Sequence, residues 1–403
     1  MGSSSKSIFY FWAISLLAAL LLLLAVVDLS DKPCVNLYDW YGVLPREVIE
    51  QFEKETGIKV NYDVFDNNEM LEAKLLARNS GYDIVFPTLT PNAARQLSMG
   101  IYQKIDKSLL PNLKKIAPFL LEKMQKIDGG LEFLLPYYWG TTGIAFDEDK
   151  LNRLLPNHPK DGYSLLFDVD VVLALRDAGI SFLQEATDIF PHVLNYIGLD
   201  RENKSFNDLV EASKHLAKIS PYIRRFSSSR FVTDLVFGDI CVAQAWSGEA
   251  IKAIEDAKKV GRNIKYIIPK EGTDIWIDVI AIPAGAPNVK NAHTFINFLL
   301  QPQVSAKITN QSKIATMVVE AKEYIDKEIL ENILIFPDEA TQQRLYLCPP
   351  FLGEGGEAYN RARTRIWAQL KIQRDKVDKY INEIVSNFCK TQGATGKRVR
   401  GIK

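Results

Sequence analysis

Residues 35–87, VNLYDWYGVLPREVIEQFEKETGIKVNYDVFDNNEMLEAKLLARNSGYDIVFP, decide the fold of this chain. Apolar runs, one alternating stretch and two helical periodicities follow one another in this segment. They predict strand, helix, strand, helix and strand at residues 35–38, 45–57, 59–65, 68–78 and 83–87. This order is typical of right-handed βαβ units, so we expect an α/β lobe with parallel strands.

The alternation of strands and helices continues through the rest of the chain. Further strands are predicted at residues 134–146, 240–243, 264–268 and 279–282, and further helices at residues 169–176, 189–197, 206–219, 234–237, 248–260, 359–370 and 377–389. Residues 151–162 are polar and contain proline, which predicts a loop where the chain changes lobe. The basic, glycine-containing tail of residues 390–403 is expected to be disordered.

Length and charge bound the possible functions. The chain has 403 residues, which is too long for one ordinary hydrophobic core and therefore predicts two lobes. Lys+Arg and Asp+Glu both number 49, so the formal net charge is zero and gives no argument for a nucleic-acid partner.

The N-terminal segment, residues 1–34, is predicted to direct export. Lys6 precedes an apolar run at residues 8–27, which is typical of a secretory signal. The run is also near the length that spans a bilayer, so either a cleaved signal or an uncleaved anchor fits. No second apolar segment of spanning length is visible, which argues against an integral membrane protein.

Metal, redox and catalytic motifs are not evident. The four cysteines, Cys34, Cys241, Cys348 and Cys389, lack zinc-site spacing, and we expect mostly free thiols. The four histidines are not paired at helical spacing, so no metal site is expected. No Gly-x-Ser-x-Gly segment or phosphate loop precedes a helix, and we expect neither a cofactor nor a catalytic residue.

Four separated segments place acids beside aromatic or other acidic residues: Asp39-Trp40-Tyr41, Glu185-Ala186-Thr187-Asp188, Trp246-Ser247-Gly248-Glu249 and Trp276-Ile277-Asp278. Carboxylates neutralise the charged ends of a flexible organic cation, and aromatic faces cover its methylenes. Trp276 and Asp278 are two residues apart, so on a strand both point to the same face. For any single segment, a core tryptophan beside a solvated acid remains the plainer interpretation.

Ten ordered segments resemble the periplasmic spermidine/putrescine-binding protein family. They are FEKETGIKV (52–60), YDVFD (62–66), YDIVFP (82–87), PYYWGTTGI (136–144), SFL (181–183), VLNYIG (193–198), GDICVA (238–243), IPKEG (268–272), AIP (281–283) and RARTRIW (361–367). The resemblance implies an α/β, type II periplasmic-binding-protein fold, with two lobes joined by crossing strands and a ligand cleft between them. It implies a first lobe of residues 35–143 and 277–330, a second lobe of residues 144–276 and 331–376, and a C-terminal helix and tail from residue 377.

The same resemblance implies which residues line the cleft. Trp40 matches the aromatic residue after the first strand, and Thr88 and Thr90 match the hydroxyl residues after the strand that ends in proline. Ligand-binding roles also carry over to Glu185, Asp188, Trp246, Glu249, Trp276 and Asp278.

This chain departs from the family pattern on one wall of the cleft. Where the family has a hydroxyl residue, an acid and a tyrosine, it has Tyr41, Gly42 and Val43, and Ile314 stands where a pocket tyrosine is expected. Tyr41 is therefore included among the ligand-binding residues as a compensating group. Asp39 is the other candidate, although on a strand it should point away from Trp40. The lost bulk predicts a shift from putrescine toward spermidine or a bulkier amine. A further departure places Ala178 at the disulfide-partner position of Cys241, which predicts a buried free thiol.

The sequence therefore predicts an exported, monomeric solute-binding protein that delivers a polyamine to the permease of an ABC importer. A ligand sensor, or a binder of another organic amine on the same fold, is the alternative. An enzyme acting on amines is disfavoured because no nucleophile–base pair is present.

Overall fold

The computed structural model describes residues 33–77 and 80–372. Its strands are β1 (Cys34–Trp40), β2 (Lys59–Phe65), β3 (Ile84–Val85), β4 (Leu134–Asp147), β5 (Ile180–Phe182), β6 (Arg225–Phe226), β7 (Val242–Trp246), β8 (Ile264–Ile267), β9 (Ile275–Ala281) and β10 (Ala315–Thr316). Its α-helices are α1 (Arg46–Thr56), α2 (Asn68–Leu76), α3 (Ala94–Ser98), α4 (Pro118–Asp128), α5 (Glu148–Leu154), α6 (Ser164–Phe167), α7 (Val169–Leu175), α8 (Ala186–Tyr196), α9 (Phe206–Ile219), α10 (Phe231–Phe237), α11 (Ser247–Lys259), α12 (Val289–Leu299), α13 (Pro302–Ser312), α14 (Lys327–Leu330), α15 (Glu339–Gln343) and α16 (Gly353–Ile372).

The N-terminal βαβ units form as the sequence predicts. β1 pairs in parallel with β2 on one side and with β3 on the other. α1 ends because Gly57 adopts a left-handed conformation, with φ of 70°, and its N–H donates to the Glu53 carbonyl. α2 begins because the Asn67 side chain accepts a hydrogen bond from the Met70 N–H.

β4 is the long strand that joins the two halves of the sheet. Its first part, from Leu134 to Thr141, pairs with β9, and its last part pairs with β7 and β8. The main path of the sheet is β2-β1-β3-β9-β4-β7-β5-β6. All 14 residues of β4 are buried, which agrees with a strand covered on both faces.

The core is divided on either side of β4. One hydrophobic cluster combines β1, β2 and β3 with β9, α12 and α13. Two other clusters lie around β5 with α7, α8 and α9, and around β7 with α10 and α11. Separate cores linked by a shared strand confirm the predicted two-lobed α/β fold, whereas the numbered lobe boundaries stay predictions.

The predicted loop at residues 151–162 is helical at its start, because α5 extends to Leu154. Asp147 stabilises the first turn of this helix by accepting a hydrogen bond from the Lys150 N–H. The signal or anchor at residues 8–27, Cys389, the helix at 377–389 and the tail at 390–403 lie outside the described residues. Among the residues described, no helix is both long and apolar enough to cross a bilayer.

Candidate functional site

The predicted site residues of the first lobe meet where β1 and β3 end. Trp40 is the last residue of β1, and Thr88 lies just beyond β3. Thr88 forms an isolated antiparallel bridge with Asp278 of β9. Ligands of open α/β sheets bind outside the carboxyl ends of parallel strands, so this edge is the expected position for a site.

Asp278 is held by a short chain of hydrogen bonds. The Thr88 hydroxyl donates to Oδ1 of Asp278 at 2.8 Å, and the Asn68 amide donates to Oγ1 of Thr88 at 3.2 Å. Burial raises the pKa of Asp278 to about 7; the Thr88 hydrogen bond lowers it, and the negative charge of Glu249 raises it further. The charges of Asp278 and Glu249 therefore interact electrostatically.

Asp39 lies closer to this group than the sequence analysis suggested. It shares a strand face with Leu37, on the side opposite Trp40, and it is fully buried. Its Oδ1 accepts from the Trp40 N–H at 2.7 Å, and the Tyr62 hydroxyl is 3.5 Å from Oδ2. Burial raises the pKa of Asp39 well above its usual range, and the charge of Asp278 adds to this. The available signal was an acid on the apolar face of an alternating strand.

The three predicted tryptophans are half-buried: Trp40 ends β1, Trp246 ends β7, and Trp276 lies near the start of β9. The Trp40 ring packs against Phe65 with centroids 4.6 Å apart. The indole N–H groups of Trp40 and Trp276 are buried and have no hydrogen-bond acceptor among the described residues. Trp246 ends β7 and immediately precedes α11. The faces of these rings can cover methylenes and attract a cation, whereas the indole N–H groups are donors and cannot accept a hydrogen bond from an ammonium.

Two predicted residues, Tyr41 and Thr90, make no contact with Asp278 that the described hydrogen bonds show. Tyr41 is 77% exposed, so its ring does not refill the wall vacated at Gly42 and Val43 in this conformation. Thr90 is half-buried in a π-helical turn, Leu89–Ala93, next to the Thr88–Asp278 pair.

The acidic residues of the second lobe lie at the start of α8. Glu185 occupies the N-cap position and Asp188 the first turn, where the helix dipole favours negative charge. Burial raises the pKa of both carboxyls, and the charge of Glu69 raises both further. Glu69 is an exposed residue of α2 in the first lobe, and the sequence analysis missed it. The available signal is an acid in the first turn of the helix that follows β2.

Glu249 projects from the first turn of α11. Its side chain is accessible to solvent, yet protein atoms surround the carboxyl group, and this desolvation raises its pKa. A Cβ added at the neighbouring Gly248 would lie 3.1 Å from Cγ1 of Ile314. The aliphatic Ile314 therefore packs beside the first turn of α11, the turn that contains Glu249.

Gly140 of β4 makes room for Trp276. A side chain at this position would overlap the Trp276 indole and would place its Cβ 2.6 Å from Oγ of Ser247. Gly140 and Trp276 are also partners in the β4–β9 ladder. The missing side chain on β4 therefore determines where the Trp276 indole lies.

We expect Gly140→Ala to displace Trp276 and to destabilise the protein by about 1–3 kcal/mol, the usual cost of overpacking a core. Thermal unfolding measures the stability, and tryptophan fluorescence reports the indole environment. Gly355→Ala is the matched control, since that helical glycine has nothing within 4 Å of an added Cβ. If Gly140→Ala is as stable as Gly355→Ala, the proposed steric role is wrong.

The carboxylates around the cleft have few positive partners. Asp39, Glu185, Asp188, Glu249 and Asp278 form no salt bridge with any basic residue in the described part of the chain. The pKa of each is raised chiefly by burial. Residues 33–77 and 80–372 contain no cluster of His, Cys, Asp or Glu suited to a metal ion. An organic cation is the ligand class that this arrangement fits best.

Two lobes joined by a shared strand, with a polar and aromatic cleft at the strand ends, define a solute-binding protein. The sequence matches the family of bacterial extracellular solute-binding proteins over residues 39–306, and this chain belongs to that family.

Several curated relatives bind polyamines according to their names. The putrescine-binding periplasmic protein SpuD of Pseudomonas aeruginosa is 37% identical over 345 residues, which is 85% of this chain and 93% of that protein. PotF, the putrescine-binding periplasmic protein of Escherichia coli, is 38% identical over 365 residues, or 89% of this chain and 97% of PotF.

Solved structures agree with the fold. The spermidine/putrescine substrate-binding protein PotD of Streptococcus pneumoniae superposes with a TM-score of 0.72 at 25% identity, covering 85% of this chain and all 100% of PotD. A putative spermidine/putrescine ABC transporter protein of Listeria monocytogenes gives a TM-score of 0.73 at 27% identity, covering 85% of this chain and 99% of that one. The predicted periplasmic-binding-protein fold is thereby confirmed.

Proposed function

We propose that this protein captures a polyamine between its lobes and delivers it to an ABC importer. The observation that carries the proposal is a set of four carboxylates, Glu185, Asp188, Glu249 and Asp278, that form no salt bridge with the basic residues described in the structure. Unpaired charge in a desolvated site costs several kcal/mol per ion, so a neutral ligand would leave this cost uncompensated. A linear cation with several ammonium groups would offset this cost at several carboxylates.

Each predicted site residue has a role in this proposal. Asp278, positioned by Thr88, anchors one ammonium together with Glu249. Glu185 and Asp188 receive the charge at the other end. Trp40, Trp246 and Trp276 cover the methylenes, and Tyr41 and Thr90 line the rim. None of these roles involves a nucleophile or a cofactor, so we propose a binding protein and not an enzyme.

The relatives also support a location and a partner. SpuD and PotF are named periplasmic proteins, and PotD is named as part of an ABC transporter. We infer that the N-terminal segment, with its apolar run at residues 8–27, exports this chain to the periplasm as a cleaved signal or as an anchor. The inferred partner is the permease in the inner membrane, approached by a monomer.

A thermal-shift panel tests the proposal. We expect putrescine, spermidine, spermine, cadaverine or agmatine to stabilise the protein, by about 2.7 kcal/mol for a ligand at a hundred times its Kd. Because Gly42, Val43 and Ile314 leave room at one end, spermidine should give a larger shift than putrescine at equal concentration. The controls are 1,4-butanediol, which has the length of putrescine without its charge, and butylamine, which has one charge.

The outcomes of the panel are distinct. Equal shifts for putrescine and 1,4-butanediol would show that charge is not recognised. No shift with any amine would remove the polyamine proposal. A clear putrescine preference, confirmed by competition calorimetry, would show that another group fills the wall lost at Gly42 and Val43.

A further inference from the structure

A buried hydrogen-bond network lies behind the acidic end of α8. His192 is 1% exposed and lies one helical turn after Asp188. The Gln244 amide Nε2–H donates to Nδ1 of His192 at 2.7 Å and to the Asp188 carbonyl at 2.5 Å. Oε1 of Gln244 accepts from the Leu183 N–H at 3.4 Å, which sets the amide orientation. Nδ1 of His192 is therefore an acceptor, and the ring proton lies on Nε2.

That proton is donated to Asp274. Nε2 of His192 is 2.6 Å from Oδ1 of Asp274, and the Thr142 hydroxyl donates to Oδ2 at 3.1 Å. The Tyr163 ring stacks on His192 with centroids 5.1 Å apart, and the Tyr163 hydroxyl donates to Oγ1 of Thr273 at 2.8 Å. His192 thus has a packed position with a directional partner on each ring nitrogen.

The network connects two segments, α8 and the start of β9, that contain different ligand-binding residues in the proposed function. Asp274 immediately precedes β9, which contains Trp276 and Asp278, and Asp188 belongs to α8. Gln244 links the two segments, because its amide donates both to Nδ1 of His192 and to the backbone carbonyl of Asp188. Burial and the negative charge of Asp274 raise the pKa of Asp188. Without His192, Oδ1 of Asp274 would lose this donor, while the Thr142 hydroxyl would still hold Oδ2.

We propose that His192 is a positioning residue for ligand binding. By holding Asp274 through Nε2 and Gln244 through Nδ1, it sets the position of Asp188 relative to β9. It thereby sets the spacing between the two charged ends of the cleft. The inference rests on the proposed polyamine function. The spacing of the acidic ends discriminates between a diamine and a triamine, so His192 affects selectivity as well as affinity.

Two variants of His192 separate positioning from packing. His192→Leu removes both polar contacts, and we expect roughly a tenfold loss of affinity for the preferred polyamine, within the usual range for a disrupted network. We also expect the ratio of spermidine to putrescine affinity to move toward one. His192→Gln keeps a donor near the position of Nε2, and it should recover most of the wild-type ratio. Calorimetry with both amines measures these quantities.

A double-mutant cycle adds a measurement that would not change if His192 had a purely structural role. In an Asp274→Asn background, His192→Leu should change the affinity by less than about threefold, because the partner charge is already gone. His293→Leu is the matched control. His293 is 2% exposed and buried in the first lobe, where its bonds to other described residues go to backbone groups of Asp106 and Val289. This control should lower the melting temperature and leave the affinity ratio unchanged.

The results discriminate between the two proposals. Wild-type protein that binds none of the amines would overturn the proposed function and this inference together. Wild-type protein that binds, with an unchanged affinity ratio in His192→Leu or with additive effects in the cycle, would overturn the positioning role alone.

Discussion

Asp278→Asn is expected to weaken polyamine binding by about ten- to a hundred-fold, which corresponds to roughly 1.5–3 kcal/mol for a charge-assisted hydrogen bond. The carboxylate is 9% exposed and is held by Thr88 at 2.8 Å, so an ammonium there would meet a desolvated and oriented charge. Asparagine keeps the shape and an oxygen for the Thr88 hydroxyl but removes the charge. Isothermal titration calorimetry with the preferred polyamine measures the change.

A buried aspartate outside the cleft provides the control for this variant. Asp128 is 8% exposed, and its carboxylate accepts from the backbone N–H groups of Glu132, Phe133 and Leu134. Asp128→Asn should therefore lower stability and leave the dissociation constant unchanged. An unchanged dissociation constant in Asp278→Asn would remove Asp278 as the amine anchor.

The affinity of the wild type should fall as the pH drops below about 7, approaching tenfold per pH unit for one coupled proton. Burial raises the pKa of Asp278 to about 7 in the unligated protein, whereas an ammonium partner requires the ionised form. Binding therefore has to release this proton at lower pH. The aliphatic amines themselves stay protonated, since such groups titrate near pH 10. Calorimetry in buffers of different ionisation enthalpy counts the protons released.

The difference between the wild type and Asp278→Asn isolates this group from the other cleft carboxylates. The variant should have a shallower dependence of affinity on pH. In the unligated wild type, Asp278 should contribute most to the free energy of unfolding below pH 4, about the pKa of an aspartate in the unfolded chain. This contribution should be lost as the pH rises to about 7. Asp278→Asn should lack this loss. Parallel pH profiles for both proteins would show that Asp278 is not the titrating group.

The local pattern of the sequence was sufficient for most of the first lobe. β2 covers the predicted residues 59–65, and the predicted helices at 45–57 and 68–78 form with ends shifted by one or two residues. Polarity alternation and capping residues act between neighbours in the chain, so they can be recognised in the sequence before the fold is known. The same holds for Trp276 and Asp278, which are two residues apart on β9. The resemblance supplied the remaining site candidates.

Tertiary structure decided which charges face one another. The charge of Asp278 raises the pKa of Asp39 across β3, which lies between β1 and β9. The charge of Glu69 on α2 likewise raises the pKa values of Glu185 and Asp188 at the start of α8. His192 and Asp274, 82 residues apart, form a bond that no spacing in the sequence indicates. The sequence by itself determined which residues are strand, helix, acid and ring. Electrostatic coupling and burial depend on distances through space. These distances follow from the tertiary structure, in which β4 joins the two lobes.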